Sequence, residues 1–255
     1  MEKCCLAASA QSSFQEAERT IELMMGLKVG HSTLQRMVLR SEIADTHSPQ
    51  PVQALSVDGG NIRLRTPDPG PCVWRNYKAV SLHDSVCAAY FQDNAALVDW
   101  VQAQPLRSVV CCLGDGHDGI WNIMSLLAPE HQRLEILDWY HLVENLYKID
   151  PKQCRLEGLK ALLWSGCVEA VLAILKPLKH YPAQCFRTYL GKHRHRLVNY
   201  QMYQALGLDI GSGSVESTVK RIAARVQMTG AQWLVSSAPH ILRLRCAYLN
   251  GVFAL

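Results

Sequence analysis

Apolar and polar residues alternate along this chain with two different periods. Residues 14–26 (FQEAERTIELMMG) carry apolar groups at helical spacing and end in a glycine, and residues 27–40 repeat that spacing. We expect a helix, a tight turn and a second helix capped by Ser32. Strand-like runs then follow at Ala54–Arg65, Trp74–His83 and Val86–Phe91, separated by the turn stretch TPDPGP and by Asp84 and Ser85. These three runs predict an antiparallel meander.

Beyond the meander, strands alternate with helices. The pattern predicts helices at Asn94–Gln104 and Gly119–Leu127 and short apolar strands at Ser108–Leu113 and Leu134–Leu137. The chain between Asp138 and Glu216 reads as mostly helical. Three meander strands followed by helix, strand, helix and strand are the element order of the ribonuclease-H-like fold. We predict an α/β fold with a ribonuclease-H-like mixed sheet, flanking helices and an all-helical insertion before the last acidic residue.

Four acidic residues stand at the edges of apolar runs: Asp58 in ALSVDGG, Asp115 in VVCCLGDG, Asp138 in RLEILDWYH and Glu216 in IGSGSVES. A carboxylate that ends a buried strand emerges at the carboxyl edge of the sheet, where open α/β folds place their active sites. Oxygen ligands there suit Mg²⁺ or Mn²⁺, and two ions roughly 4 Å apart promote phosphodiester cleavage. Any one of these acids taken alone is more often a turn former or a helix cap.

The third metal ligand is left open by the residues themselves. Three of the four acids can share a pair of metals, but the pattern does not separate Asp138 from Glu216. Glu216 begins a helix after the glycine-rich turn GSGS, and we expect Ser214 to cap that helix.

Basic residues are clustered, although the formal net charge of the chain is only +4. The amino-terminal helix pair offers Gln35, Arg36 and Arg40, and it forms either a DNA-binding helix-turn-helix or an ordinary helical hairpin. Further basic residues follow in two later clusters: Lys192, Arg194 and Arg196, and then Lys220, Arg221 and Arg225. Such groups can hold DNA phosphates, whereas a solvated helical face is the usual meaning of a charge cluster.

Composition limits the class of protein. The chain has 255 residues with 49% apolar content, enough for one large or two small domains with a substantial core. Its ten cysteines include no Cys-x-x-Cys pair, so we expect reduced and mostly buried thiols. No run is long enough to span a membrane and the amino terminus falls short of a secretory signal, which makes the reducing cytoplasm the expected compartment.

Several segments together resemble a known family. VDGGNIRLR, LGDGHDGIWN, ILDWYHLVENL, GSGSVESTVKRI and the later TGAQW and ILRLRC resemble the catalytic region of bacterial insertion-sequence transposases of the Kra type, from about Ala54 to Cys246. The resemblance implies three catalytic, metal-binding acids, Asp58, Asp115 and Glu216, and it alone selects Glu216 over Asp138. Asp138 and His141 are similar to the Cys/Asp-x-x-His signature of Mutator-like transposases, which implies a supporting role.

The function that this resemblance implies is metal-dependent strand cleavage and strand transfer by a transposase. Two Mg²⁺ or Mn²⁺ ions would activate water to cut one strand at the end of the element, and the freed 3′-hydroxyl would attack target DNA. The implied partners are double-stranded DNA and a second copy of the chain, at the bacterial nucleoid. Two alternatives stay open: a truncated, non-catalytic DNA-binding repressor derived from a transposase, and a nuclease of the same fold that only hydrolyses DNA.

Four segments follow from this interpretation. Residues 1–45 are helical and include the helix-turn-helix candidate, and the polar stretch after them reads as a linker. Residues 46–150 form the first part of the catalytic core, residues 151–208 the helical insertion, and residues 209–255 the final helices of the core.

Overall fold

The protein has an α/β fold with a five-stranded mixed open sheet and flanking helices, as seen in a computed structural model that describes residues 1–66, 70–83, 85–149 and 153–254. The strands are β1 (Val52–Leu64), β2 (Val73–Leu82), β3 (Cys87–Phe91), β4 (Leu106–Gly114) and β5 (Arg133–Leu137), in the order β3-β2-β1-β4-β5. The predicted turn at 67–69 and Asp84 lie outside the described residues. No helix of the described segments is long and apolar enough to cross a membrane.

Twelve α-helices are assigned within the described residues. They are α1 (Glu2–Gln11), α2 (Phe14–Met25), α3 (His31–Arg40), α4 (Asn94–Gln102), α5 (Asp118–Leu127), α6 (Trp139–Tyr147), α7 (Gln153–Trp164), α8 (Val168–Leu175), α9 (Tyr181–Lys192), α10 (Tyr200–Ala205), α11 (Gly213–Val226) and α12 (Ala238–Leu249).

Strand direction follows from the length of the connections. Only four residues of sequence separate β2 from β3, and the two strands pair antiparallel, with Ser81 opposite Cys87. β4 and β5 are joined through α5 and pair parallel, with Gly114 opposite Leu137. A parallel pair needs a crossover connection of about a dozen residues or more, which α5 supplies.

The predicted pair of amino-terminal helices is confirmed, but the predicted cap of the second helix is wrong. α2 ends at Gly26, whose φ of +67° is the left-handed conformation that glycine adopts readily. α3 begins at His31 with Gly30 as its N-cap, so Ser32 lies inside the helix. The cap is supplied from α2, where the Glu18 carboxylate accepts the His31 backbone N–H at 2.8 Å.

Two further local positions are defined by the strand and helix boundaries. Asp58 ends an apolar run but does not end the strand: as the predicted strand Ala54–Arg65 implies, β1 continues for six residues beyond it, because the buried Gly60, Ile62 and Leu64 extend the alternation. Ser214 was expected to cap a helix, but α11 already begins at Gly213. The Ser214 hydroxyl instead lies 2.7 Å from the Ser81 hydroxyl.

The chain divides into two compact units. Unit 1 consists of Met1–Val52, Val57–Pro105 and Ser214–Leu255, and unit 2 consists of Gln53–Ser56 and Leu106–Gly213. In unit 1, Leu6 of α1 and Val38 of α3 share one hydrophobic core with Ile62 of β1. The helical segment 1–45 is therefore packed into unit 1, because the inner faces of its helices are apolar and find their partners there.

Unit 2 joins its helices to β5 through aromatic side chains. Trp139 at the start of α6 contacts the rings of Trp164 and Tyr200, with centroid distances of 4.8 and 4.9 Å. The Tyr200 hydroxyl donates a 2.8 Å hydrogen bond to the Leu137 carbonyl at the end of β5. The described part of 151–208 contains α7 to α10 and no strand, in agreement with the predicted all-helical segment.

At one edge of the sheet, the side chain of Asn250 forms hydrogen bonds with backbone groups of β3. Asn250, directly after α12, accepts the Cys87 backbone N–H through Oδ1 and donates from Nδ2 to the Cys87 carbonyl, both at 2.9 Å. This two-bond contact fixes the carboxyl end of α12 against the start of β3.

Arg225 is a packing residue of unit 1 rather than a surface cation. Its side chain is buried, its Nε donates to the Ser9 carbonyl at 2.8 Å, and its guanidinium carbon lies 5.0 Å from the Trp233 ring centroid. Burial lowers the pKa of Arg225 to about 10, and the nearby Arg245 adds to the effect. The predicted contact of Arg225 with DNA is replaced by a link between α11 and α1, because the guanidinium has no exposed surface.

We expect Arg225→Ala to lower the free energy of unfolding by about 2–4 kcal/mol, since the Ser9 carbonyl loses its donor and a cavity opens between α1 and α11. Arg221→Ala, which removes an exposed cation from the same helix, serves as the control and should change the free energy by no more than about 0.5 kcal/mol. Urea unfolding followed by circular dichroism measures both. Equal midpoints for the two variants would contradict the packing role.

Candidate functional site

Two acidic residues meet at the carboxyl edge of the parallel strand pair in unit 2. Asp115 follows β4 and Asp138 follows β5, and the pairing of Gly114 with Leu137 brings the two strand ends to the same level. The Asp138 backbone N–H continues the ladder with a 2.9 Å bond to the Gly114 carbonyl. The structure therefore brings together the two of the four predicted acids that belong to unit 2.

Asp138 is a buried carboxylate whose two oxygens are both used by the protein. Oδ1 accepts the His141 backbone N–H at 2.8 Å, which caps α6, and it lies 3.3 Å from the His141 ring nitrogen Nδ1. Oδ2 accepts the Ser212 hydroxyl at 2.6 Å and also the Ser212 backbone N–H. Asp138 thus fixes the start of α6 and the segment around Ser212, and its supporting role at a catalytic site stays a prediction.

Asp138 and His141 form an ion pair at neutral pH. The Asp138 carboxylate, whose Oδ1 lies 3.3 Å from Nδ1, raises the pKa of His141 to about 9 against the effect of partial burial, and the charge of Asp115 contributes. Burial raises the pKa of Asp138, but the hydrogen bonds from His141 and Ser212 outweigh burial, so the pKa of Asp138 is lowered. The result is an imidazolium cation beside the carboxyl ends of β4 and β5.

The loop that carries Asp115 is held by its own neighbours and by α9. Asp115 Oδ1 accepts the His117 backbone N–H at 2.8 Å, and the Trp121 indole N–H donates to the Asp115 carbonyl at 2.7 Å. Gly116 lies against α9 so closely that a Cβ at this position would be 2.3 Å from Cε2 of Tyr189. Burial and the charges of Asp115 and Asp138 raise the pKa of the Tyr189 hydroxyl.

The other two predicted acids belong to unit 1. Asp58 lies within β1, half-buried, and its Oδ1 accepts the Gly59 backbone N–H at 2.6 Å. Glu216 is exposed in the first turn of α11, where its Oε1 lies 2.5 Å from Nζ of Lys220. Among the described residues, no three His, Cys, Asp or Glu side chains are grouped so that they could hold a metal ion. The convergence of Asp58, Asp115 and Glu216 stays a prediction.

The basic segment of unit 2 is neutralised by acids from distant parts of the sequence. Lys192 pairs with Asp118 at 2.6 Å and Arg194 with Glu169 at 2.7 Å. Both pairs are exposed, so each contributes little to stability and opens readily for a phosphate. Arg196 differs from Lys192 and Arg194 in being largely buried, and its Nε donates to the Glu135 carboxylate at 2.7 Å.

Arg196 also stacks on an aromatic ring, with its guanidinium carbon 3.9 Å from the centroid of Trp121. Its side chain and that of Glu135 are each only 15% exposed. Trp121 in turn holds the Asp115 carbonyl, so we assign Arg196 to support of the Asp115 loop rather than to DNA contact.

The remaining predicted DNA contacts lie on exposed helical faces of unit 1. Gln35, Arg36 and Arg40 are exposed on α3, where Arg36 bonds only to its own helix, through Nε to the Ser32 carbonyl at 3.4 Å. Lys220 and Arg221 are exposed on α11. The Glu18 carboxylate also lies 3.0 Å from Nδ1 of His31, so α2 and α3 are fixed to each other at the turn that joins them.

Three supporting residues were missed by sequence reasoning: Ser212, Tyr189 and Glu135. Ser212 lies in the glycine-rich turn, which was noted only as the start of a helix. Nothing in the local sequence marks Tyr189 or Glu135, because their partners are far away along the chain. Gly116 and Gly211, which both lie against aromatic rings of unit 2, are the signal that the sequence offered, since a Cβ at Gly211 would lie 2.6 Å from the ring of Tyr140.

Comparison with known proteins does not assign this chain to a family. No protein-family model matches the chain, and no curated protein matches it.

We expect the His141 ring to titrate near pH 9, and Asp138→Asn to return its pKa to 6.5 or below. Because the pKa is higher in the folded than in the unfolded chain, protonated His141 stabilises the fold fully below pH 6.5, and this stabilisation is lost as pH rises through about 9. NMR titration of the ring, with unfolding midpoints between pH 6 and 9.5, measures both effects. Glu130→Gln is the control, and a wild-type pKa near 6.5 would refute the ion pair.

We also expect Gly116→Ala to destabilise the protein by about 1–3 kcal/mol, because its methyl group overlaps the Tyr189 ring. Gly191→Ala is the matched control, since a Cβ there meets nothing within 4 Å and the helix α9 gains alanine's better propensity. Thermal unfolding compares the two. If Gly191→Ala lost stability and Gly116→Ala did not, the packing of Gly116 on α9 would be contradicted.

Proposed function

We propose that this chain is a DNA transposase that cleaves and joins DNA strands at the ends of an insertion sequence, on a ribonuclease-H-like domain. The proposed metal ligands are Asp58, Asp115 and Glu216, with Asp138 and His141 as positioning residues. The proposed partners are double-stranded DNA of the element ends and the target, and a second copy of the chain on paired ends, at the bacterial nucleoid.

One observation carries the proposal: Asp115 and Asp138 emerge side by side at the carboxyl edge of parallel strands in an α/β sheet. Ligands and reactions in open α/β folds are found at this edge. The strand order supports the ribonuclease-H-like assignment, because β4 has β1 as its neighbour and Asp58 lies on β1. The order of motifs along the sequence, which resembles that of Kra-type transposases, supports the choice of chemistry.

The donor chemistry of the proposed ligands fits Mg²⁺ or Mn²⁺. All three are carboxylates, the oxygen donors that hard divalent cations prefer. Both Asp138 oxygens are already hydrogen-bonded, which favours Glu216 as the third ligand. Glu216 would leave an exposed pair with Lys220, which costs at most about 1 kcal/mol. When bound, two such ions would activate water and stabilise the leaving oxygen.

The chain's own residues have separate tasks in this proposal. The His141 imidazolium offers a positive charge to the scissile phosphate, and Asp138 and Ser212 hold it in place. Trp121, stacked under Arg196, holds the Asp115 backbone and so fixes the loop. Lys220 and Arg221 neutralise phosphates near Glu216, and Gln35, Arg36 and Arg40 on α3 contact DNA.

A repressor that binds DNA without cutting it is the second candidate. It is favoured by the engagement of Asp58 and Glu216 with neighbouring groups, Gly59 and Lys220. Such a protein would use α3 and α11 for DNA and leave the acids with a structural role. Cutting assays separate the two candidates, because only the transposase depends on the acids for a chemical step.

We expect Asp58→Asn and Asp115→Asn to abolish strand cutting while DNA binding changes less than about threefold. The substrate is a plasmid that carries the DNA flanking the coding region, with Mg²⁺ or Mn²⁺ against a chelator, and binding is measured by gel shift. Asp99→Asn, which changes an exposed acid of α4, is the control and should cut normally. His141→Gln should cut about 10–100-fold more slowly, the range typical of a residue that supports metal ligands.

The outcomes separate the three functions. Metal-dependent cutting that survives in Asp58→Asn refutes the assignment of the acids. Binding without cutting by the unmodified chain identifies the repressor. Cutting without joined products identifies a nuclease that only hydrolyses DNA.

A further inference from the structure

Two cysteines of unit 1 lie side by side on different elements. Cys87 is the first residue of β3, and Cys246 is in the last turn but one of α12. Asn250, whose side chain bonds both backbone groups of Cys87, stands four residues after Cys246. Residues four apart share one face of a helix, so Cys246 and Asn250 both face Cys87.

The surroundings of the two thiols overlap. Cys87 and Cys246 are buried in the same hydrophobic core. The Cys87 thiol donates to Asn250 Oδ1 at 3.4 Å. This contact holds Cys87 against the face of α12 that also carries Cys246.

A cavity reaches this dithiol. Its volume is about 160 Å³, and both cysteines are among its lining residues, together with Tyr90, Trp100 and Arg243. Side chains of Asp45 and Arg243, which are about half exposed, also line it. A water molecule needs only about 10–15 Å³ of such space, so a molecule the size of hydrogen peroxide fits.

The charges around the pair make the two thiols unequal. The neighbouring Cys246 thiol and the positive charges of Arg221 and Arg245 lower the pKa of Cys87 against the effect of burial. The neighbouring Cys87 and burial raise the pKa of Cys246. Because the thiolate is the reactive form, Cys87 is the attacking sulfur and Cys246 the second thiol.

We propose that Cys87 and Cys246 are a redox-modification site, at which a hydroperoxide that enters the cavity oxidises the dithiol to an intramolecular disulfide. The Cys87 thiolate attacks the peroxide, the O–O bond breaks, and an alcohol or water leaves with the proton that Cys87 released. Cys246 then attacks the sulfenic sulfur, the S–O bond breaks, and water leaves. The two thiols lose two electrons and the peroxide gains them.

Formation of the disulfide requires the sulfurs to approach to about 2.05 Å. Side-chain rotation provides part of this movement, and a small shift of α12 against β3 provides the rest. The disulfide would join the start of β3 to the end of α12 covalently, across 158 intervening residues. Closure of so long a loop would restrict the unfolded chain and favour the folded one.

The test treats the full-length, reduced chain with an equimolar amount of hydrogen peroxide, blocks the remaining thiols with N-ethylmaleimide, and maps the unreduced peptides by mass spectrometry. We expect a cross-linked pair of peptides containing Cys87 and Cys246, with a loss of two hydrogens. Cys185→Ser, which removes an exposed thiol, is the matched control and should form the same link. Cys87→Ser and Cys246→Ser should not form it.

A second readout identifies the attacking sulfur. In Cys246→Ser the sulfenic acid should persist at Cys87 and be trapped by dimedone, and circular dichroism checks that the variant is folded. Oxidation of Cys167 or Cys185 without a link between Cys87 and Cys246 would overturn the proposal. So would dimedone labelling of Cys246 in Cys87→Ser at the rate seen for Cys87 in Cys246→Ser. No DNA enters the assay, so its outcome is independent of the proposed transposase activity.

Discussion

The buried carboxylate of Asp138 is the interaction on which the organisation of unit 2 depends. It caps α6 through the His141 backbone and accepts two hydrogen bonds from Ser212, 74 residues further along the chain. The neighbouring backbone groups extend the same junction, because Trp139 N–H donates to the Ile210 carbonyl at 2.9 Å. An unpaired buried carboxylate is costly, so these partners must form together for the strand end, the helix start and the 210–212 segment to be stable.

The regular elements could be read from the sequence because period and length determine them locally. The strand boundaries expected at Ala54–Arg65 and Ser108–Leu113 differ from those of β1 and β4 by two residues or fewer at each end. The position of Asp58 within β1 was harder to read, because Gly59 and Gly60 directly after it imitate a turn. Gly60 is in fact a close approach inside a strand, where a Cβ would lie 2.2 Å from Cζ of Tyr77. The reason for a glycine at position 60 is therefore Tyr77 on β2, which the sequence around Gly60 does not show.

The roles of individual charged residues were harder to predict than their positions. Arg225 and Arg196 look like their exposed neighbours in sequence, yet one is buried against Trp233 and the other stacks on Trp121. Burial and pairing depend on partners such as Ser9 and Glu135, which are 216 and 61 residues away. The pattern of residues also left Asp138 and Glu216 equivalent as metal ligands. The hydrogen bonds around the buried Asp138 are what distinguish this carboxylate from the exposed Glu216.

β3 ends the sheet on one side, and an outer strand with free backbone groups is a template on which a second protein molecule can add its own strand. The side-chain amide of Asn250 occupies the N–H and carbonyl of Cys87 as a peptide group would, and so closes that template at one position. The carboxyl end of α12 therefore covers the outer edge of the sheet at the first residue of β3. Without the Asn250 side chain, the N–H and carbonyl of Cys87 would lose these two partners and the edge would be open at that position.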